Sequence, residues 1–315
     1  MLKNLKTILL RTWYRVLRQA KRIRLPLFEG LTLYAVLSFF IRGIVEGKIT
    51  DRAASVAFSF FLALFPGIIF LFNLIPFFPI EGMENEVFYT FQRVLPPDTY
   101  DAARTTIDDI LNNKRTDLLS FGFLFALVFA TNGINSLISN FNNTIHQIDT
   151  RGFFKQQLVS VVLTIVLSFL FLVGLTIVIF SSGVINGLLN FFRLEVISPF
   201  IIETTRLLLM LSVVLLAIAL MYNFGPSKKR QWRFISPGSL LATFLIVITS
   251  VGFSFYVSNF AQYNKLYGSI GTLMIILLWI YINAIVLILG FELNASIASL
   301  KNEQSQAELE LDLET

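Results

Sequence analysis

The sequence predicts an all-α integral membrane protein: six transmembrane helices, N-terminal amphipathic and interfacial helices, and a short helical extracytoplasmic loop. Three observations predict it. Of 315 residues, 55% are hydrophobic and only 14% charged, with a mean hydropathy of +0.72, whereas a soluble domain carries about 25% charged residues. Six long apolar runs follow one another along the chain. The basic residues fall unevenly between the segments that join them.

Residues 1–24, "MLKNLKTILLRTWYRVLRQAKRIR", hold 8 of the 25 basic residues and no acid. Arg11, Arg15, Arg18 and Arg22 recur at helical spacing, while Leu5, Leu9, Trp13, Val16, Ala20 and Ile23 form the opposite face. Such a basic amphipathic helix suits an anionic membrane surface, so lipid headgroups are the expected partners there. The apolar stretch 31–41 is too short to span, because a crossing needs about 20 residues. It is read as a second interfacial or partly inserted helix, so that residues 1–50 form an N-terminal interfacial region. The N-terminal apolar stretches are short and interrupted by arginine, so the first span is expected to be retained rather than cleaved.

The spans themselves are expected at 53–78, 118–140, 156–180, 199–222, 236–258 and 270–297, within a membrane domain of residues 51–297. At about 1.5 Å per residue each can cross a hydrocarbon core of roughly 30 Å. Placing the N-terminus inside puts 18 of the 25 lysines and arginines on the cytoplasmic side, which predicts that both termini face the cytoplasm. The loop 79–117 reads as two short amphipathic helices broken at Pro96-Pro97. The tail 298–315 is acidic and free of aromatics, and is expected to be disordered.

Several classes of chemistry are poorly supplied. The chain has no cysteine and a single histidine, His146, which excludes disulfides, thiol nucleophiles and multi-histidine metal sites. His146 and Asp149 stand three apart, and Asp98, Asp101, Asp108 and Asp109 share the 79–117 loop; solvated loop faces account for both groups more simply than catalysis or metal binding. No phosphate-binding glycine loop, HExxH or nucleophile motif occurs. No catalytic residue, metal, cofactor or nucleic-acid partner is expected.

The polar residues inside the spans are the site candidates. Asn132, Asn135, Ser139 and Asn142 (or Asn143) recur at spacings of three and four on the second span. They make a polar stripe that either glues helices together or lines a hydrated cavity. Glu203 and Arg206 share a helix face and can pair, as an interfacial anchor or as the lining of an outward-facing cavity. Pro66, beside Gly67, is expected to break or kink the first span. Glu292 lies roughly 33 Å along a last span that starts near Ile270. That depth places it at the cytoplasmic rim beside Asp51 and Arg52. It is expected to face the bundle and bond to Arg52 or another donor, with Gly290 permitting close approach.

The C-terminal third carries a recognisable pattern. The stretches "YNFGPSKKRQWRFISPGSLLATF" and "YVSNFAQYNKLYGSIGTLMIILLWIYINAIVLILGFELNASI" resemble the YihY/BrkB family of bacterial inner-membrane proteins, as do "RAASVAFSFFLALFPGIIF" and "NGINSLISNFNNTI". The resemblance covers roughly 50–295, and its pattern falls on Ala57, Pro66, Asn135, Pro226, Gly238, Tyr263, Tyr267, Gly268, Trp279, Gly290 and Glu292. Phe58 and Phe291 depart from it. The resemblance implies about six spans with cytoplasmic termini in the bacterial inner membrane. It also implies links to virulence, serum resistance and envelope integrity, with transport of lipid-like envelope components proposed; an older ribonuclease BN label is regarded as a misassignment. Three functions follow as expectations: translocation of a lipid, organic anion or other envelope-related cargo; a non-transporting membrane scaffold; and, with least support, a ribonuclease.

Overall fold

The computed structural model describes residues 21–23, 28, 30–74, 116–144, 147–148, 151–191, 199–227, 235–259 and 269–314. Among the described residues, seven helices follow in chain order: α1 (Leu33–Glu46), α2 (Ile49–Leu74), α3 (Thr116–Asn142), α4 (Phe153–Phe191), α5 (Pro199–Phe224), α6 (Pro237–Asn259) and α7 (Ser269–Glu314). Six of them, α2 to α7, are long and apolar enough to cross a membrane. This is the all-α polytopic architecture that the composition predicts. The helix faces present large apolar side chains outward, among them Phe121, Phe125, Phe169, Phe171, Phe244 and Phe255. A soluble protein would hide such a surface; a lipid-facing one needs it.

The chain divides into two units, residues 1–57 with 134–315, and residues 58–133. In the second unit, the later part of α2 and the early part of α3 meet where Gly122 leaves room for the Phe70 backbone, and the Phe70 and Phe123 rings lie 5.4 Å apart. Gly133 likewise sits against the Phe60 ring. In the first unit α7 packs on α6 and on α1, α4 on α5, and α5 on α6. Phe28, Leu31 and Val36 form a buried cluster with Leu293, Ile297 and Leu300, which seats α1 on the lower part of α7.

Local chemistry explains several boundaries. Thr32 caps α1 by accepting the Ala35 amide, and α1 ends at Gly47, whose amide bonds the Gly43 carbonyl. The "SPGS" segment opens α6 as a capping box: Ser239 donates its amide to Ser236 Oγ, and Ser236 donates its own to Ser239 Oγ, with Pro237 at the first helical position.

Three expectations need correction. Pro66 does not break the first span: it lies inside α2, which stays helical from Ile49 to Leu74. One missing amide bond does not end a helix whose apolar surroundings keep every other backbone bond internal. The tail is not disordered: α7 runs on to Glu314. Its Ala, Leu, Gln, Glu and Lys content is strongly helix-forming, and no glycine or proline interrupts it after Gly290. Between α3 and α4, Asn143–Thr144 and Gln147–Ile148 pair as a two-residue antiparallel ladder, where only a loop is expected. The expectations for residues 1–20, the 79–115 loop, His146, Asp149, Tyr263, Tyr267 and Gly268 lie outside the described residues.

Candidate functional site

The residues that could carry function gather at one end of the first unit, where α2, α4 and α6 begin and α3 and α5 end. Glu292, on α7, has a fully buried side chain, and the Arg52 side chain, in the first turns of α2, is 10% exposed. Arg52 Nη1 reaches Glu292 Oε2 at 3.4 Å and the Gly47 carbonyl at 3.4 Å, while Nη2 donates to the Asn140 carbonyl at the end of α3. One guanidinium thus ties the α1–α2 elbow, α3 and α7 together. Of the partners left open for Glu292 (Arg52, another basic residue or a helix-end donor), Arg52 is the one in contact.

The contact that sequence reasoning missed is Gly43. A methyl group at that position of α1 would sit 2.7 Å from Glu292 Oε1 and 2.9 Å from its Cγ. Gly43 is buried and lets α1 lie directly across the carboxylate. Nothing in the sequence ties residue 43 to residue 292, because α1 is not one of the spans. The elbow that returns the chain into α2 passes through Lys48, which holds a left-handed φ of 46°. That conformation is uncommon for a side chain of this size.

A second cluster joins α5, α6 and α7. Gly238 and Gly290 cross so closely that a methyl group on the first would lie 2.0 Å from the carbonyl oxygen of the second. Asn294 Oδ1 accepts the Gly238 amide at 2.8 Å, and its Nδ2 donates to Ser236 Oγ at 2.9 Å. Asn294 therefore seals the start of α6, whose free amides would otherwise attract an anion. Tyr222 donates its hydroxyl to the Leu287 carbonyl at 2.6 Å, and its ring packs with Phe141 and Phe291. Phe291 stacks on Phe141 at 4.4 Å, so this departure from the family pattern fills space between α3 and α7.

The polar stripe divides. Gln156, at the start of α4, donates to Asn135 Oδ1 at 2.8 Å and to Ser139 Oγ at 2.7 Å, and Ser160 adds a 3.3 Å bond to Asn135. Asn142 Oδ1 accepts the Ser227 amide at 2.8 Å. Asn132 is exposed within the other unit. Arg151 donates to the carbonyls of Phe224, Gly225 and Pro226, placing a cation on the negative end of α5. Burial lowers its guanidinium from the ordinary value.

The remaining candidates do not join this layer. Asp51 is exposed in the first turn of α2, where its charge complements the helix dipole. Glu203 is exposed and Arg206 half-buried, and no ion pair joins them among the described residues. Two flexible side chains on an exposed helix face gain little from holding one geometry. Trp279 packs its ring on Phe253 at 4.8 Å, a helix contact between α7 and α6. The described residues bring no three His, Asp or Glu side chains together in a metal-binding group.

Compared with known proteins, residues 40–312 match the family described as virulence factor BrkB. The chain is 32% identical over 250 residues to YfkH of Bacillus subtilis (strain 168), whose name calls it ribonuclease-like; the match covers 79% of this chain and 90% of YfkH. It is 28% identical over 273 residues to a UPF0761 membrane protein of Alteromonas mediterranea, covering 83% and 87% of the two chains. A UPF0761 membrane protein of Pseudoalteromonas translucida is 28% identical over 282 residues, covering 87% and 89%. No solved structure matches.

Proposed function

The chain belongs to the virulence factor BrkB family, and we propose that it acts there as a non-enzymatic translocator of an anionic lipid or other envelope-related anion. The observation that carries this reading is the buried Arg52–Glu292 pair. A buried ion pair stabilises a fold weakly, since well-packed apolar side chains of the same volume often do as well or better. Ionisable groups within membrane-spanning bundles commonly serve ions or charged substrates. Arg52 is the group suited to a phosphate or carboxylate: planar, permanently charged and able to bond two oxygens at once. Glu292 holds that charge when no anion is present, and an anionic headgroup competes with it.

In the same reading the protein sits in a bacterial inner membrane with both ends in the cytoplasm, on the distribution of lysine and arginine. The polar layer then lies at the cytoplasmic side, where the basic residues of the 223–235 loop would add to the attraction for anions.

One observation favours the scaffold reading instead. Asn135 and Ser139 turn toward Gln156 on α4, and their bonds are those of helix packing. The ribonuclease reading draws only on names, the older family label and that of YfkH.

Reconstitution separates these readings. Purified protein in liposomes carrying fluorescent anionic and zwitterionic phospholipids should move lipid between leaflets faster than empty liposomes. Arg52→Met should abolish that movement, and Arg52→Lys should weaken it. Folded wild-type protein that moves neither envelope lipids nor organic anions would sink the proposal.

A further inference from the structure

The lower part of α7 leaves the packed bundle as a solvent-exposed acidic helix. After Leu300, which is buried, residues 301–307 and 309–312 are all exposed. The segment 301–314 carries Glu303, Glu308, Glu310, Asp312 and Glu314 against a single base, Lys301. Leu309 and Leu311 are apolar side chains held out on this helix, each more than half exposed.

The N-terminal segment approaches this helix at its base. Phe28 and Leu31 pack with Leu293, Ile297 and Leu300, so the chain that precedes α1 meets α7 where the acidic stretch begins. The Leu33 amide bonds the Ile23 carbonyl at 2.9 Å, which folds residues 21–23 back against the start of α1. Lys21 holds its ammonium 5.0 Å from the Tyr34 ring centroid. The preceding twenty residues contain Lys3, Lys6, Arg11, Arg15 and Arg18 and no acid.

We propose that the basic segment 1–20 docks along the acidic extension of α7 in the same chain. Charge complementarity is the first argument: the segment carries five cationic residues and no acid, and the extension carries five acids and one base. Reach is the second. Read as a helix, twenty residues extend about 30 Å, and the fourteen residues from Lys301 to Glu314 extend about 21 Å. Tethering is the third, because Ile23 and Phe28 anchor the chain at the base of the extension, which keeps the segment near its target at an effective concentration of order millimolar. Leu5, Leu9, Trp13 and Val16 offer an apolar face to Leu309 and Leu311. The competing partner for the same segment is an anionic membrane surface.

The chain has no cysteine, so single pairs can be introduced cleanly. Full-length protein bearing Thr12→Cys and Gln306→Cys, in nanodiscs of zwitterionic lipid, is treated with a short bis-maleimide linker. A mixture of tagged and untagged chains distinguishes links within a chain from links between chains. The expected result is an intrachain link. Its yield should fall several-fold in 1 M salt, where the Debye length shrinks to about 3 Å. It should fall similarly when the five acids are replaced by Gln or Asn, and when Arg11, Arg15 and Arg18 are replaced by Gln. Glu303, Glu310 and Asp312 are exposed and the three arginines precede the packed cluster, and circular dichroism checks that each variant keeps its helices. Links only between chains, a yield indifferent to salt and charge, or absence of a link with position 12 buried in lipid would each overturn the proposal.

Discussion

Removing Arg52 should damage the fold more than removing the charge of Glu292, although the two face each other. The reason lies in what each leaves behind. Arg52→Met leaves the Glu292 carboxylate in a fully buried position without its cation, and breaking a buried pair from one side costs about 3–5 kcal/mol. Glu292→Gln is milder. The guanidinium keeps the Asn140 and Gly47 carbonyls, and the amide oxygen can still accept from Nη1. The 3.4 Å separation is also long for a charge-assisted bond, which tightens to about 2.7–2.9 Å. A loss of about 1–2 kcal/mol is expected for Glu292→Gln, in the range of one hydrogen bond to a charged group.

The double variant Arg52→Met/Glu292→Gln removes both charges and should recover part of the loss, giving a coupling energy of about 1–3 kcal/mol. Reversible unfolding in mixed micelles, followed by tryptophan fluorescence, measures all four corners of the cycle. Arg52→Met within about 0.5 kcal/mol of wild type, or strictly additive losses, would refute the reasoning. Either outcome would mean that Glu292 is held by its surroundings and not by the arginine.

Gly43→Ala places a methyl group against the Glu292 side chain, and overpacking of that kind should cost about 1–3 kcal/mol in the same unfolding assay. Gly238→Ala meets the Gly290 backbone instead of a movable side chain, so it should lower the yield of folded protein more severely, read by size-exclusion chromatography of solubilised membranes. Asn294→Ala frees the Gly238 amide and removes a bond to Ser236; a loss of about 1–2 kcal/mol is expected, in the range of a lost helix cap. Asn135→Ala removes the shared acceptor of Gln156 and Ser160 and should cost about 0.6–1.7 kcal/mol, from the mean to the maximum measured for interhelical bonds in a membrane protein.

The spans were legible because lipid imposes the rule that made them so: about twenty apolar residues, with backbone bonds closed internally. The Arg52 contact was legible for a related reason. Antiparallel spans of fixed rise place the start of α2 and the lower part of α7 at one depth, and few charges exist there to pair. Asn294 was harder. It serves an amide 56 positions away, and nothing in the local pattern marks an asparagine as a cap for another helix. The tail was misjudged because acidity and the absence of aromatics describe a chain that lacks a core of its own. Here the helix is nucleated by the packed part of α7, so helix-forming residues need only continue it.

Depth alone would leave Glu292 half in water. A carboxylate about 33 Å along a span lies near the headgroups, where solvent reaches most side chains, yet this one is fully buried. The difference is α1. It is too short to cross, but it lies against α7 with Gly43 over the carboxylate, and its elbow brings the Gly47 carbonyl to Arg52. The helix that the spanning rule discards is therefore the one that takes the ion pair out of water. This bears on the proposed function, because α1 is packed against the carboxylate that an incoming anion would have to displace from Arg52. In the proposed translocation, substitutions at Gly43 and at the Lys48 elbow should change the rate of lipid movement in reconstituted liposomes even where Arg52 and Glu292 are intact.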